Sequence, residues 1–398
     1  MRRTISTILP VAALLVGASL PAFGQGQTRA FRQAFPVQGA NVVRLANLAG
    51  RIELVRIQGN QVLVDATVHA QGESGNETQK LLQNMKWVKA EDRHGNEEWA
   101  LSYPVKDYRG FAYPRPGSKK QEESWFLSWL ASKGAMTSTQ YRGERVRVYN
   151  ERSSSAPMLY ADLRIGLPVG SNVVVRNIVG DVRGGQLEGT LKVDTGSGKV
   201  EVAAYDGNLV VDTGSGDVVL GSARGETSVD TGSGDVVVRR LVGNGKMDTG
   251  SGDVTVENVS AGRLYVDTGS GDVIVRGGTA SRVIADTGSG NVHVMGVELE
   301  ELEADTGSGD VVILSSLAQA KRISADTGSG DVEIHAGPNA AFDIESDQGS
   351  GDLEVGYADA QLRKDGKKVV GARRGNGQTV IRVETGSGDC VISPKQGA

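Results

Sequence analysis

The same five residues, Asp-Thr-Gly-Ser-Gly, begin at Asp194, Asp212, Asp230, Asp248, Asp267, Asp286, Asp305 and Asp326, at intervals of 18, 18, 18, 19, 19, 19 and 21 residues. Self-similarity at so short a period restricts a chain to repeat architectures, in which each unit buries its apolar face only against its neighbours. Two variants extend the series, Asp347-Gln348-Gly349-Ser350-Gly351 and Glu384-Thr385-Gly386-Ser387-Gly388, and Asn177-Ile178-Val179-Gly180-Asp181-Val182 is a shortened forerunner. The spacing changes only between motifs, never inside one.

On both sides of the motif the residues alternate with period two, the mark of half-buried strands. The inward positions before it are pairs such as Leu191 and Val193, Leu209 and Val211, or Leu264 and Val266; those after it are pairs such as Val200 and Val202, or Val254 and Val256. Glu201, Thr255, His293 and Glu333 fall between them and face out. Two strands and two turns use up 18–21 residues, so each unit fits one coil of an all-β, parallel β-solenoid whose successive coils stack about 4.8 Å apart. An antiparallel meander of hairpins also suits Gly-rich turns. Near-identical residues at one coil position favour the in-register parallel stack, which tolerates ladders of like side chains. The motif is then a corner: its glycines permit positive φ, Asp and Ser bond nearby amides, and Thr points inward.

The flanking regions differ in texture. Arg2 and Arg3, an apolar run to Leu20 and the small-residue end at Gly24 read as a signal peptide over residues 1–24. Residues 25–70 read as first strands of the solenoid or its cap, around Asn47-Leu48-Ala49-Gly50, a weak copy of the repeat. Residues 71–160 form an aromatic-rich insertion or cap holding all four tryptophans, Trp87, Trp99, Trp125 and Trp129, with a helical pattern from Asn76 to about Lys89. The repeat solenoid spans 161–393, interrupted by a basic hairpin from Gln361 to Arg374, and 394–398 is a tail. The tryptophans either cover an open coil end or offer a partner-binding surface.

Little in the sequence points to catalysis. Asp-Thr-Gly-Ser resembles an aspartic-protease loop, but that chemistry needs two apposed aspartates sharing a proton, and here the motif recurs eight times at coil spacing. Gly196-Ser197-Gly198-Lys199 lacks the rest of a phosphate-binding loop. His69, His94, His293 and His335 have no metal-ligand spacing. The single cysteine, Cys390, stands where sister repeats place Val or Leu and reads as a core thiol. A net charge of -5 without a basic stripe argues against a nucleic-acid partner, and no stretch after the signal is apolar enough to span a bilayer. The first and sixth motif positions stack into acidic rows that include Asp212, Asp217, Asp230, Asp235, Asp248 and Asp253. These rows read either as a weak Ca²⁺ ladder or as hydrogen-bonded turn aspartates; no other cofactor is implied.

Taken in order, the recurring Gly-Asp-Val-x-Val and Thr-Gly-Ser-Gly elements, Leu167-Pro168-Val169-Gly170-Ser171 before Val173-Val174-Val175, and Asn47-Leu48-Ala49-Gly50-Arg51-Ile52 resemble the bacterial putative-adhesin β-strand-repeat family. The resemblance covers about residues 35–393 outside the aromatic insertion; it implies a β-helix-like fold and an envelope role, and supplies no catalytic residues. The expectation is an exported, non-catalytic binding scaffold of the periplasm, cell surface or medium, with a surface glycan or envelope protein as partner. A glycan-active β-helix enzyme and a purely structural spacer are the alternatives.

Overall fold

The computed structural model describes residues 26–37, 41–92, 94–114, 135–150 and 156–395. Among them, 31 strands and one helix form a nearly all-β protein whose strands join one continuous hydrogen-bonded sheet. The repeats pair in parallel and in register: Val182–Ser197 lies against Val200–Ser215 with Asp194 opposite Asp212, and Val254–Thr268 lies against Val273–Thr287 with Asp267 opposite Asp286. Each unit therefore bonds to its counterpart one repeat away, as a β-solenoid-like stack requires. The inward side chains read from the alternation are buried, from Leu191 and Val193 to Val332 and Ile334.

Three features depart from the sequence reading. A unit has three walls, not two: Tyr205, Ala223, Leu241, Val259, Gly278 and Val297 form a third paired row. This wall is only a few residues long, too short to alternate, so periodicity does not reveal it. The motif glycines also have another purpose. Gly198 alone among them has φ in the left-handed region. A Cβ on Gly271 would lie 2.0 Å from the carbonyl oxygen of Gly252, and one on Gly250 would lie 2.3 Å from that of Gly232. The corner backbones stack so closely that no side chain fits between them.

The third departure is the order of the last units. Arg322–Thr327 pairs with Thr379–Thr385, and Thr379–Thr385 pairs on its other edge with Phe342–Gln348. The final unit is thus interleaved between two units that precede it in sequence. Its described residues form two walls, Thr379–Thr385 and Cys390–Pro394, and Lys395 donates from its backbone to the Ala336 carbonyl at 2.7 Å. The segment 337–341 links the neighbouring units directly, the Gly337 amide donating to the Ser316 carbonyl at 3.3 Å and the Ala341 carbonyl accepting the Thr379 amide at 3.1 Å. The hairpin of Gln361–Asp365 and Lys368–Arg374 then pairs antiparallel with Phe342–Gln348 and covers that edge. Lysines on a terminal hairpin discourage further strand pairing.

At the other end, Val43–Ala49 stacks in parallel on Ser171–Val179, and Ile52–Ile57 on both Met158–Pro168 and Val182–Ser197. Gln27–Pro36 and Gln61–Gln71 continue the sheet with antiparallel pairing. The helix spans Gly75–Asn84, shorter than its pattern suggests, with Ser74 Oγ accepting from the Glu77 amide at 3.2 Å as N-cap. It stops where Trp87–Glu91 becomes a strand against Glu97–Leu101, because the aromatic and β-branched residues there pack better on a pleated surface.

Candidate functional site

The repeated corner is where the sequence concentrates its polar residues, and the structure assigns each a task. From Thr231 onward the buried threonine hydroxyl donates to the preceding unit's glycine carbonyl, as in Thr268 to Gly252 at 2.8 Å, Thr287 to Gly271 at 2.8 Å and Thr306 to Gly290 at 2.7 Å, whereas the hydroxyls of Thr195 and Thr213 are buried without a hydrogen-bond partner. The same oxygen accepts the amide of its own fifth-position glycine, as Thr268 does from Gly271 at 3.2 Å. Both lone corner groups are satisfied by one side chain. The sixth-position aspartates do the equivalent job outside. Asp235 Oδ1 accepts the Asp253 amide at 3.0 Å, Asp253 Oδ1 that of Asp272 at 2.9 Å, and Asp272 Oδ1 that of Asn291 at 2.7 Å. Asn291 carries the row onward to the Asp310 amide at 2.9 Å, showing that the oxygen matters there and the charge does not.

The first-position row behaves differently. Asp212, Asp230 and Asp248 stack in register, with Lys192 3.8 Å from Asp212 and Lys246 3.3 Å from Asp248. Partial burial and its two neighbouring carboxylates hold Asp230 above the ordinary carboxylate range. Partial burial likewise raises Asp286, helped by Asp267, and Asp305, helped by Asp326 and Asp286. So the six aspartates read as a calcium ladder, Asp212, Asp217, Asp230, Asp235, Asp248 and Asp253, fall in two separate rows on either side of the Gly-Ser-Gly bend. Among the described residues no group of three or more His, Cys, Asp or Glu is arranged to hold a metal ion.

Trp87 and Trp99 meet over Phe35, with ring centroids 5.5 and 5.4 Å away, and both are half-buried. Trp125 and Trp129, like residues 1–24, lie outside the described residues. At this end of the stack the corner is built from asparagine: Asn47 and Asn177 occupy the threonine position, and Asn177 donates to the carbonyls of Gly50 and Gly180. Tyr103 donates to Asn47 Oδ1 at 2.9 Å, and Tyr141 to the Ala46 carbonyl at 3.1 Å, tying the insertion to the stack. Arg176, at the first-position row's end, bonds the buried Glu98, whose carboxyl burial lifts while Arg176 pulls it down. Cys390 is buried and burial pushes its thiol up to about 12, which makes it inert. His69 lies 3.4 Å from Asp162 and stacks on Tyr160, while His335 contacts Ser393 and Glu333. No described helix is long and apolar enough to cross a membrane.

A second surface carries no motif. On the wall preceding the corner, a groove of about 780 Å³ crosses successive rungs from Asn208 to Ile284 and is lined by two or three residues of each, including Arg263, Tyr265 and Arg282. Its outward positions vary from unit to unit, so repetition gives no signal for it.

In-register rungs held by buried threonines and stacked glycines define a repeat protein of β-solenoid-like fold. Residues 225–393 match the Toastrack DUF4097 family. No curated protein matches the chain. Among solved structures, it aligns with a putative cell adhesion protein from Clostridium sporogenes ATCC 15579 at 9% identity, over 93% of this chain and 100% of that one, with a TM-score of 0.19. A putative lipid binding protein from Parabacteroides distasonis ATCC 8503 gives 11% identity, 93% and 97% coverage and a TM-score of 0.35. A putative adhesin from Bacteroides fragilis NCTC 9343 gives 13%, 92% and 97%, and 0.26.

Proposed function

We propose that the protein is an exported, non-catalytic binding scaffold of the cell envelope, built as a rod of three-walled coils of 18–21 residues. One observation carries this reading: the polar residues that the repeat multiplies are engaged in holding the coils together. Thr268 and Asp253 each satisfy backbone groups of a neighbouring coil. A catalytic carboxylate needs an environment unlike its neighbours'. Each row of repeat aspartates places similar carboxylates in similar surroundings and singles out none of them, so function rests on the surfaces that the rod displays, with an envelope glycan or protein as partner.

A binding screen of the full chain against isolated cell-wall glycans and envelope proteins, joined to fractionation of cells expressing it, tests the proposal. Single Asp212→Asn, Asp230→Asn and Asp248→Asn variants should change binding by graded amounts. Abolition of activity by one of them alone, or retention of the full chain in the cytoplasm, would overturn it. Saturating calcium should raise Tm slightly through the two acidic rows, and an unchanged Tm refutes a metal role for them.

A further inference from the structure

The groove over residues 208–284 differs from the rest of the rod in shape and in chemistry. The inward row beneath it runs Leu209, Thr227, Gly245, Leu264, so two consecutive rungs lack the leucine that their neighbours carry. Leu241, Met247 and Leu264 close in on Gly245 from inside. Outside, Ser228 lies low between Val210 and Lys246, and the wall dips. Thr227 is 4% exposed, lines this dip, and has a buried hydroxyl without a hydrogen-bond partner.

Along one side of the dip stand Asn208, Glu226, Asn244, Arg263 and Arg282, one per rung across five rungs. Asn244 donates to Glu226 Oε1 at 2.8 Å and accepts the Arg263 amide at 2.9 Å, which fixes that side. Arg282 is paired with Glu303 at 2.7 Å, whereas Arg263 is exposed and makes no ion pair among the described residues. Tyr265 stands beside it, its hydroxyl held by Asp267 at 2.8 Å, with Lys246 5.7 Å from the ring centroid. Three cations and one carboxylate line the groove of a chain whose net charge is -5.

These features select the class of ligand. Every rung in the groove pairs with rungs above and below, so an extended peptide finds no strand edge to join. Val210 and Ile284 are too few to anchor an apolar chain. One donor or acceptor per rung, a fixed phenol ring and an unpaired guanidinium suit an extended polymer that carries hydroxyls and carboxylates. We propose that this groove binds an acidic polysaccharide along the rod axis, Arg263 engaging a carboxylate and Tyr265 supporting a sugar ring; this rests on the binding-scaffold reading above.

The test is calorimetric titration of the full chain with polygalacturonate oligomers, using neutral dextran oligomers as the comparison. Polygalacturonate should bind, more weakly as salt rises, and dextran should not. Arg263→Gln and Tyr265→Ala should each weaken binding about tenfold or more, a loss of roughly 1.4 kcal/mol. Tyr265→Phe, which keeps the ring, should stay within about twofold; both side chains point outward, and an unchanged Tm confirms that the three variants fold. Equal binding of dextran overturns the acidic class. Binding that survives Arg263→Gln and Tyr265→Ala, or absence of polygalacturonate binding, overturns the groove; if cell-wall material still binds the full chain, the scaffold reading survives that failure.

Discussion

The repeat coils and the amino-terminal region solve the same problem, the unpaired backbone groups of a tight corner, with different means. In the repeats a small set of residues is reused: from Thr231 onward the threonine serves the coil before it, as Thr268 serves Gly252, and the sixth-position aspartate serves the coil after it, as Asp253 serves Asp272. At the amino-terminal end Asn47, Asn177, Tyr103 and Tyr141 form one buried network that occurs once. Glycine shows the same contrast. Gly143 turns the chain at φ 80° with nothing near its missing Cβ, while Gly271 has ordinary room for its backbone and none for a side chain. Repetition makes an interaction necessary for stacking; singularity makes it necessary for shape.

The largest effect that can break this comparison is at glycine. Gly271→Ala should cost more than about 4 kcal/mol and yield little folded protein, because the clash is with backbone. Gly185→Ala, in open space, should stay within about 0.5 kcal/mol, and Gly143→Asn should fold because Asn tolerates the left-handed region. Urea unfolding of the three variants checks the ranking; a stable Gly271→Ala would mean that the corners do not stack.

Next come the hydroxyls. Tyr103→Phe and Thr268→Val each leave buried backbone or amide partners unpaired and should cost about 1–3 kcal/mol. They should differ in location: hydrogen exchange should accelerate around Asn47 for the first and around Gly252 for the second. Smaller still, Asp253→Ala should cost about 1 kcal/mol by freeing the Asp272 amide, whereas Asp253→Asn should be nearly neutral, as Asn291 already is in its row.

The smallest effect is in pH. The folded pKa of Asp230, Asp286 and Asp305 is raised, so the folded state binds their protons more tightly and these groups gain stability as pH falls through that raised value. In the amino-terminal region the sign reverses. Arg32 lowers the Asp65 carboxyl; burial raises Asp162, but hydrogen bonds from His69 and the Arg51 amide outweigh it and leave it lowered. Stability from that pair is present above the unfolded value and lost as pH falls through the folded one. All these groups are partly exposed, so each contributes only about a few tenths of a kcal/mol. Hydrogen exchange between about pH 5 and 3 should weaken protection near Asp65 before it weakens protection near Asp230; the opposite order would refute the assignment.

The stacking register was legible because Leu191, Val193, Val200 and Val202 recur with a side-chain period that matches a pleated strand. The inward threonine and the buried Cys390 were legible for the same reason. The third wall was not, because Leu187, Tyr205, Ala223 and Leu241 share a position but no alternation. Nor was the interleaved last coil: the motifs at Asp347 and Glu384 fit either order, and only the pairing of Thr379–Thr385 with both Arg322–Thr327 and Phe342–Gln348 decides between them. The groove lay hidden because Arg263 and Tyr265 face out, where each unit is free to differ.

The order of the coils is the most direct test of the whole account. Spin labels on the motif serines should place Ser251 about 24 Å from Ser387, five rungs away, and about 29 Å from Ser350, six rungs away. A Ser251–Ser350 distance shorter than Ser251–Ser387 would show coils stacked in sequence order, and distances unrelated to rung number would contradict the stack itself.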